Sequence, residues 1–180
     1  MEGKQMELFQ VSKYLDVEHT IAKYMFDPVE NPWEVLPSIS IFIEQLGPML
    51  PSEEFEQRGS NVWISKSAVI APTAYIGGPC IIDAGTEVRH CAFIRGSAII
   101  GKNCVIGNST EVKNSIIFDE VQIPHYNYVG DSILGFRSHL GAGAITSNVK
   151  NDKSNVEVNF ALGKMDTKLR KFGAIVGDFS

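Results

Sequence analysis

The chain has 180 residues, of which 44% are hydrophobic, and a formal net charge of −5. That length suits one domain with a sizeable core and a small appended piece, and that charge balance excludes both a disordered tail and a basic polyanion binder, so nucleic acid is not an expected partner. No apolar run approaches the ~18 residues of a membrane span, and the opening MEGKQMELFQ lacks a signal-peptide core, so no membrane partner and a cytoplasmic location are expected.

Residues 1–60 read as a small helical N-terminal cap. Ile21, Tyr24 and Met25 share a helical face in a run that Pro28 stops, and Leu36, Ile39, Ile43 and Leu46 repeat at threes and fours before Gly47-Pro48, which predicts a second amphipathic helix. These helices are expected to close an open sheet edge or to make contacts between subunits.

From Asn61 the pattern changes. Ile64, Ile70, Ile76, Ile82, Val88, Ile94, Ile100, Ile106 and Val112 recur at every sixth position. Two residues before each stands Val62, Ala68, Ala74, Cys80, Thr86, Ala92, Ala98, Cys104 or Thr110, all small or compact. Neither a helix nor a hairpin has period six. A period this strict marks a repeat architecture in which each unit buries its apolar side on its neighbours. If each hexad is a short strand and a turn, three hexads make a triangular coil that climbs by one strand spacing, about 4.8 Å. The β-branched residue then points into the prism and the small one sits at the tight corner. Residues eighteen apart stack, giving one face from Ile64, Ile82 and Ile100, a second from Ile70, Val88 and Ile106, and a third from Ile76, Ile94 and Val112.

The ladder continues, with some five-residue steps, through Ile117, Ile123, Val129, Leu134, Leu140 and Ile145. A polar, lysine-bearing excursion over 147–172 follows, with a strand expected at Val156 to Phe160, and the hexad resumes at Gly173-Ala-Ile-Val-Gly177-Asp. The fold class is therefore all-β: a parallel β-helix of hexapeptide repeats over 61–180, with an inserted loop at 147–172 and the helical cap before it. Because the series breaks off in mid-coil, further coils are expected beyond it.

Chemistry concentrates on one face. Arg95 follows Ile94 and Lys113 follows Val112, so two cations lie side by side on adjacent strands, which costs stability unless an anion joins them. Glu111 on the same face could neutralise them; a bound phosphate is the other reading, since Arg offers a fork of donors and Lys a mobile charge. The column before the ladder reads Tyr75, Phe93, Glu111 and Tyr128, which puts the Tyr128 hydroxyl within reach of the same anion. His125 is an edge residue stacked over Asn108 and His90, and His139 is a second candidate imidazole; His19 reads as a helix-surface residue. The three cysteines show no CxxC or Cys/His spacing, so no metal is expected; two occupy corner positions, which suits packing in a reducing compartment.

The segment His125-Tyr-Asn-Tyr128-Val-Gly-Asp-Ser-Ile-Leu-Gly, running on through Leu140-Gly-Ala-Gly-Ala-Ile-Thr-Ser-Asn148, resembles the acetyltransferase domain of the bifunctional enzyme that makes UDP-N-acetylglucosamine. The tail Lys168-Leu-Arg-Lys-Phe-Gly-Ala-Ile-Val-Gly-Asp resembles the C-terminal domains of related sugar-1-phosphate nucleotidyltransferases. The left hand of the β-helix is implied by that resemblance, as is an acetyl-CoA-dependent N-acetyltransferase acting on a hexosamine 1-phosphate. Carried over residue by residue, the resemblance implies that His125 is the general base and Glu111 stands beside the phosphate-binding Lys113. It implies further that Arg95 and Tyr128 complete the phosphate site and that Asn148 orients the amino sugar. Two positions depart from the family's pattern: His139 stands where the family has an asparagine, and the family's lysine after Asn148 does not line up with Lys150 or Lys153. A homotrimer with sites between subunits is implied too. The nucleotidyltransferase domain's glycine-rich loop is not found in the first sixty residues, and a non-catalytic trimerisation and sugar-phosphate-binding module is the alternative reading.

Overall fold

A computed structural model describes residues 8–161 and 163–180. The period of six builds three parallel sheets wound into a left-handed β-helix. Strands are numbered in chain order. The first sheet stacks β1 (Phe55–Gln57), β2 (Val62–Ser65), β5 (Cys80–Ile82), β8 (Ala98–Ile100), β11 (Ser115–Ile117), β14 (Ile133–Leu134) and β17 (Ile175–Val176). The second stacks β3 (Val69–Ile70), β6 (Glu87–Val88), β9 (Val105–Asn108) and β12 (Gln122–His125); the third stacks β4 (Tyr75–Ile76), β7 (Phe93–Ile94), β10 (Glu111–Lys113) and β13 (Tyr128–Gly130). The expected stacking is realised in the register: Ile64 pairs with Ile82 and Ile82 with Ile100, Val88 with Ile106, Ile94 with Val112.

The inward ladder is the core. Ile82, Ile94, Ile100, Ile106, Val112, Ile117, Ile123, Val129 and Leu134 are fully buried, each side chain contributing about 1.5–3 kcal/mol relative to exposure. The small companions pack the corners, where Thr86 Oγ1 donates to the Gly101 carbonyl at 2.6 Å and accepts from the Cys104 amide at 2.9 Å. From Gly85 onward each corner turns through a residue with positive φ, and most of these are not glycine: Cys91, Ser97, Asn103 and Ser109 keep the spacing of six, whereas the next is Asn114. Two corners are thus one residue short, at Asn114 and Asp131, matching the five-residue steps from Val112 to Ile117 and from Val129 to Leu134.

The last step differs from the sequence-based expectation. Tyr128 pairs with Ile145, so Ile145 stands in the outward column, 68% exposed, and Thr146 takes the inward place. The Thr146 hydroxyl accepts from the Gly130 amide at 2.9 Å and donates to the Tyr128 carbonyl, stitching to backbone where an aliphatic residue would only pack.

The first sheet is also covered from outside. Ile81, Ile99, Ile116 and Ile133, each one place before the ladder, are fully buried although they point away from the prism. The N-terminal segment lies over them: α1 (Ile39–Leu46) packs on β5 and β8, Phe26 meets Phe118 edge to face, and Trp33 meets Phe172. Gly47 allows the backbone to press on the Trp63 indole, where a Cβ would come within 2.0 Å of Nε1. The expected helix over 17–27 is instead two 3₁₀ turns, Val17–His19 and Lys23–Met25, with Tyr24 exposed. His19 stacks flat on Phe136, ring centroids 3.6 Å apart, and its carbonyl accepts from Asp119. The edge of the first sheet is closed by β1, antiparallel to β2. The excursion folds as a hairpin of β15 (Glu157–Phe160) and β16 (Gly163–Asp166) before β17 rejoins β14.

Candidate functional site

The third sheet positions the cation pair. Glu111 lies opposite Phe93 below and Tyr128 above, and Lys113 opposite Gly130. The Arg95 amide donates to the Val112 carbonyl at 2.9 Å, so Arg95 and Lys113 project from neighbouring strands on the outer face, as the period requires.

Each cation already has a carboxylate. Arg95 Nη1 lies 2.8 Å from Glu111 Oε1, and this partner pushes the guanidinium further above its ordinary range. Lys113 Nζ lies 3.2 Å from Asp131 Oδ2, with the lysine largely and the aspartate almost wholly covered. Asp131 is the residue that the sequence analysis missed. It sits on the second shortened corner, and its carboxylate also accepts from Asn114 Nδ2 at 2.8 Å and from Asn148 Nδ2. Asn148 Nδ2 reaches the Tyr128 hydroxyl as well, at 3.1 Å. The available signal was the pair of five-residue steps: dropping one residue at the same corner of successive coils stacks Asn114 under Asp131.

Gly130 is the second missed residue. A Cβ there would lie 2.5 Å from Tyr128 Oη and 2.9 Å from Asn148 Nδ2, so the tyrosine folds back over its own strand only because position 130 is bare.

Arg95, Glu111, Lys113, Tyr128 and Asn148 are therefore brought together on one face. His125 is not in that hydrogen-bonded group: it ends β12 on the second sheet, opposite Asn108, with its side chain exposed and its amide held by Asn127 Oδ1 at 3.1 Å. One corner, Tyr126-Asn127, separates it from Tyr128. His139 pairs with Gln122 beyond β12, at the end of the second sheet, and has no hydrogen bond to the cluster among the described residues. Lys153 lies on the exposed excursion, its carbonyl accepting from Arg170 Nε at 3.2 Å. Burial pushes the Cys80 and Cys104 thiols up to about 12, which leaves them packing residues.

Comparison with known proteins adds a second line. The model of the GMPPB C-terminal domain matches residues 76–164. A "Bifunctional protein GlmU" of Methanococcus maripaludis is 39% identical over 175 residues, which are 96% of this chain and 41% of that protein. The chain is similar to GlmU proteins. The GlmU of Methanocaldococcus jannaschii is 34% identical over 183 residues, covering 98% of the chain and 45% of the relative. A "Bifunctional sugar-1-phosphate nucleotidylyltransferase/acetyltransferase" of Sulfurisphaera tokodaii is 37% identical over 65 residues, or 36% of this chain and 16% of its own length. The chain thus spans less than half the length of these GlmU relatives, and the likeness takes in the N-terminal segment as well as the coils.

Proposed function

We propose that this chain binds a hexosamine 1-phosphate of the glucosamine 1-phosphate type and transfers an acetyl group from acetyl-CoA to its amine, a step in nucleotide-sugar biosynthesis. The carrying observation is the cluster of Arg95, Lys113, Tyr128 and Asn148 on one sheet face, and the names of the bifunctional relatives point the same way.

Arg95, Lys113 and the Tyr128 O–H would take the phosphate and so orient the amine. Asn148 would face the amine, and Glu111 would hold Arg95 in place until the phosphate arrives. His125 would remove the proton from the attacking nitrogen; an imidazole suits this role because it gains and loses a proton near neutral pH. Acetyl-CoA supplies the thioester carbonyl. The Ala144 amide is spent on the Gly141 carbonyl, which leaves the Asn148 amide, without a partner among the described residues, as the donor to the oxyanion. Exposed Ile145 would offer the coenzyme's arm an apolar contact, and Lys153 and Arg170, whose Nε donates to the Lys153 carbonyl, would offer its phosphates positive charge.

The cluster lies on an open face and His125 round the corner from it, which supports a homotrimer whose sites form between subunits, one copy's His125 facing the next copy's cation pair. Release of CoA on mixing glucosamine 1-phosphate with acetyl-CoA tests the reading. Turnover should fall by about 10²-fold to 10⁴-fold in His125→Ala; release no faster than in that variant refutes it.

One observation favours a second reading, a sugar-phosphate-binding trimerisation module without turnover: both cations already hold carboxylates, so the resting cluster carries no net charge. Calorimetric binding of glucosamine 1-phosphate with none of acetyl-CoA would decide for it.

A further inference from the structure

The corner at Asp131 carries an inference that rests on the sugar-phosphate reading and narrows the substrate class. The Asp131 carboxylate, paired with the Lys113 ammonium and with Asn114, has no proton to give, so whatever faces it must donate. Asn148 therefore turns Nδ2 towards it, and the same nitrogen donates to the Tyr128 hydroxyl. Both amide protons are used. Asn148 Oδ1, which has no partner among the described residues, is left as an acceptor, and the Tyr128 oxygen, having accepted, keeps its own O–H to give away.

We propose that Asp131 is a positioning residue that fixes the Asn148 amide with its oxygen outward, so that the site selects phosphate monoesters bearing a hydrogen-bond donor at the acylated position. The polarity runs in one direction. Arg95, Lys113 and the Tyr128 O–H present only donors, matching a phosphate's acceptors, while Asn148 Oδ1 presents the only acceptor that the Asp131 network turns outward, matching an amine. A fluorine or ether at that position finds an oxygen facing its own lone pairs. With an amide at 131 the neighbour could donate as well as accept, and Asn148 would be free to turn over.

The test is calorimetric titration of the whole chain with glucosamine 1-phosphate and with 2-deoxy-2-fluoroglucose 1-phosphate, which carries the same anion but no donor at carbon 2. The wild-type protein should prefer the amino sugar by about tenfold or more, the magnitude of one hydrogen bond to a charged group. In Asp131→Asn the preference should fall below about threefold, through weaker binding of the amino sugar while the fluoro sugar binds as well or better, since Lys113 has lost its counter-charge. Asn148→Ala, which removes the acceptor and leaves the corner intact, should lose the same preference. A preference retained in either variant, or absent from the wild type, overturns the proposal. If Asp131→Asn does not fold, the wild type still decides: the two Asn148 side-chain amide protons should exchange slowly with solvent, and fast exchange overturns it. Binding with the expected preference but without CoA release would sink the transferase reading alone.

Discussion

At the scale of single residues, two glycines of the same ladder separate site from scaffold. At Gly130 the atoms that a Cβ would strike are the tips of Tyr128 and Asn148, side chains that can move away. Gly130→Ala should therefore keep the fold, with a change in stability within about 1 kcal/mol, yet weaken glucosamine 1-phosphate binding by about tenfold or more, the loss of one charge-assisted hydrogen bond. At Gly107 the Cβ would meet the Pro124 carbonyl at 1.6 Å, and backbone cannot yield so cheaply. Gly107→Ala should lower the melting temperature sharply, with overpacking costing about 1–3 kcal/mol or more. The electroneutral pairing gives a third expectation. Glu111→Gln frees Arg95, so inorganic phosphate should bind several-fold more tightly by calorimetry, and unchanged affinity would show that Glu111 does not hold the guanidinium against an anion.

At the scale of elements, the N-terminal segment and the first sheet depend on each other. The outward column Ile81, Ile99, Ile116 and Ile133 is as buried as the inward one, because α1 and its flanking turns lie on it. Trp33→Ala should cost about 3–5 kcal/mol in denaturant unfolding, since the indole is buried between Phe9 and Phe172. Under the same segment Asp83 and Asp119 are held above the ordinary carboxylate range, mainly by burial. A carboxyl raised on folding stabilises fully below its unfolded value of 3.8 and loses that contribution as pH rises through its raised folded value. Asp83→Asn keeps an acceptor for the Ala84 amide and cannot ionise. It should therefore melt higher than wild type at neutral pH, and the gap should close as pH falls towards the ordinary carboxylate range; a gap independent of pH would contradict the burial argument.

At the scale of the whole molecule, four coils with a strand on every side, a fifth of β14 and two bridges, and β17 of a sixth stack so that each supports the next, the one-dimensional pattern of repeat proteins. The outer column of the third sheet below the cluster is apolar and uncovered, with Tyr75 60% and Phe93 41% exposed and their rings in edge-to-face contact. That column is the surface on which the proposed trimer would close, and Phe93→Asp should shift the sedimentation of the protein to monomer while leaving its far-ultraviolet dichroism unchanged.

The chain by itself determined the coil, though not its hand, because a period of six makes residues eighteen apart into neighbours; Arg95 beside Lys113 and Glu111 beside Tyr128 followed from counting. The inward place of Thr146 was not legible, since Gly143 and Ala144 are both small and either Ile145 or Thr146 could follow two places on. The apolar outward column of the first sheet announced that something must cover it. What covers it, and the meeting of Asp131 with Lys113, Asn114 and Asn148, was decided by tertiary structure. Side chains from three coils converge there only after two corners have each lost a residue and the chain has turned in the left-handed region, and no count along the backbone says where a turned side chain will point.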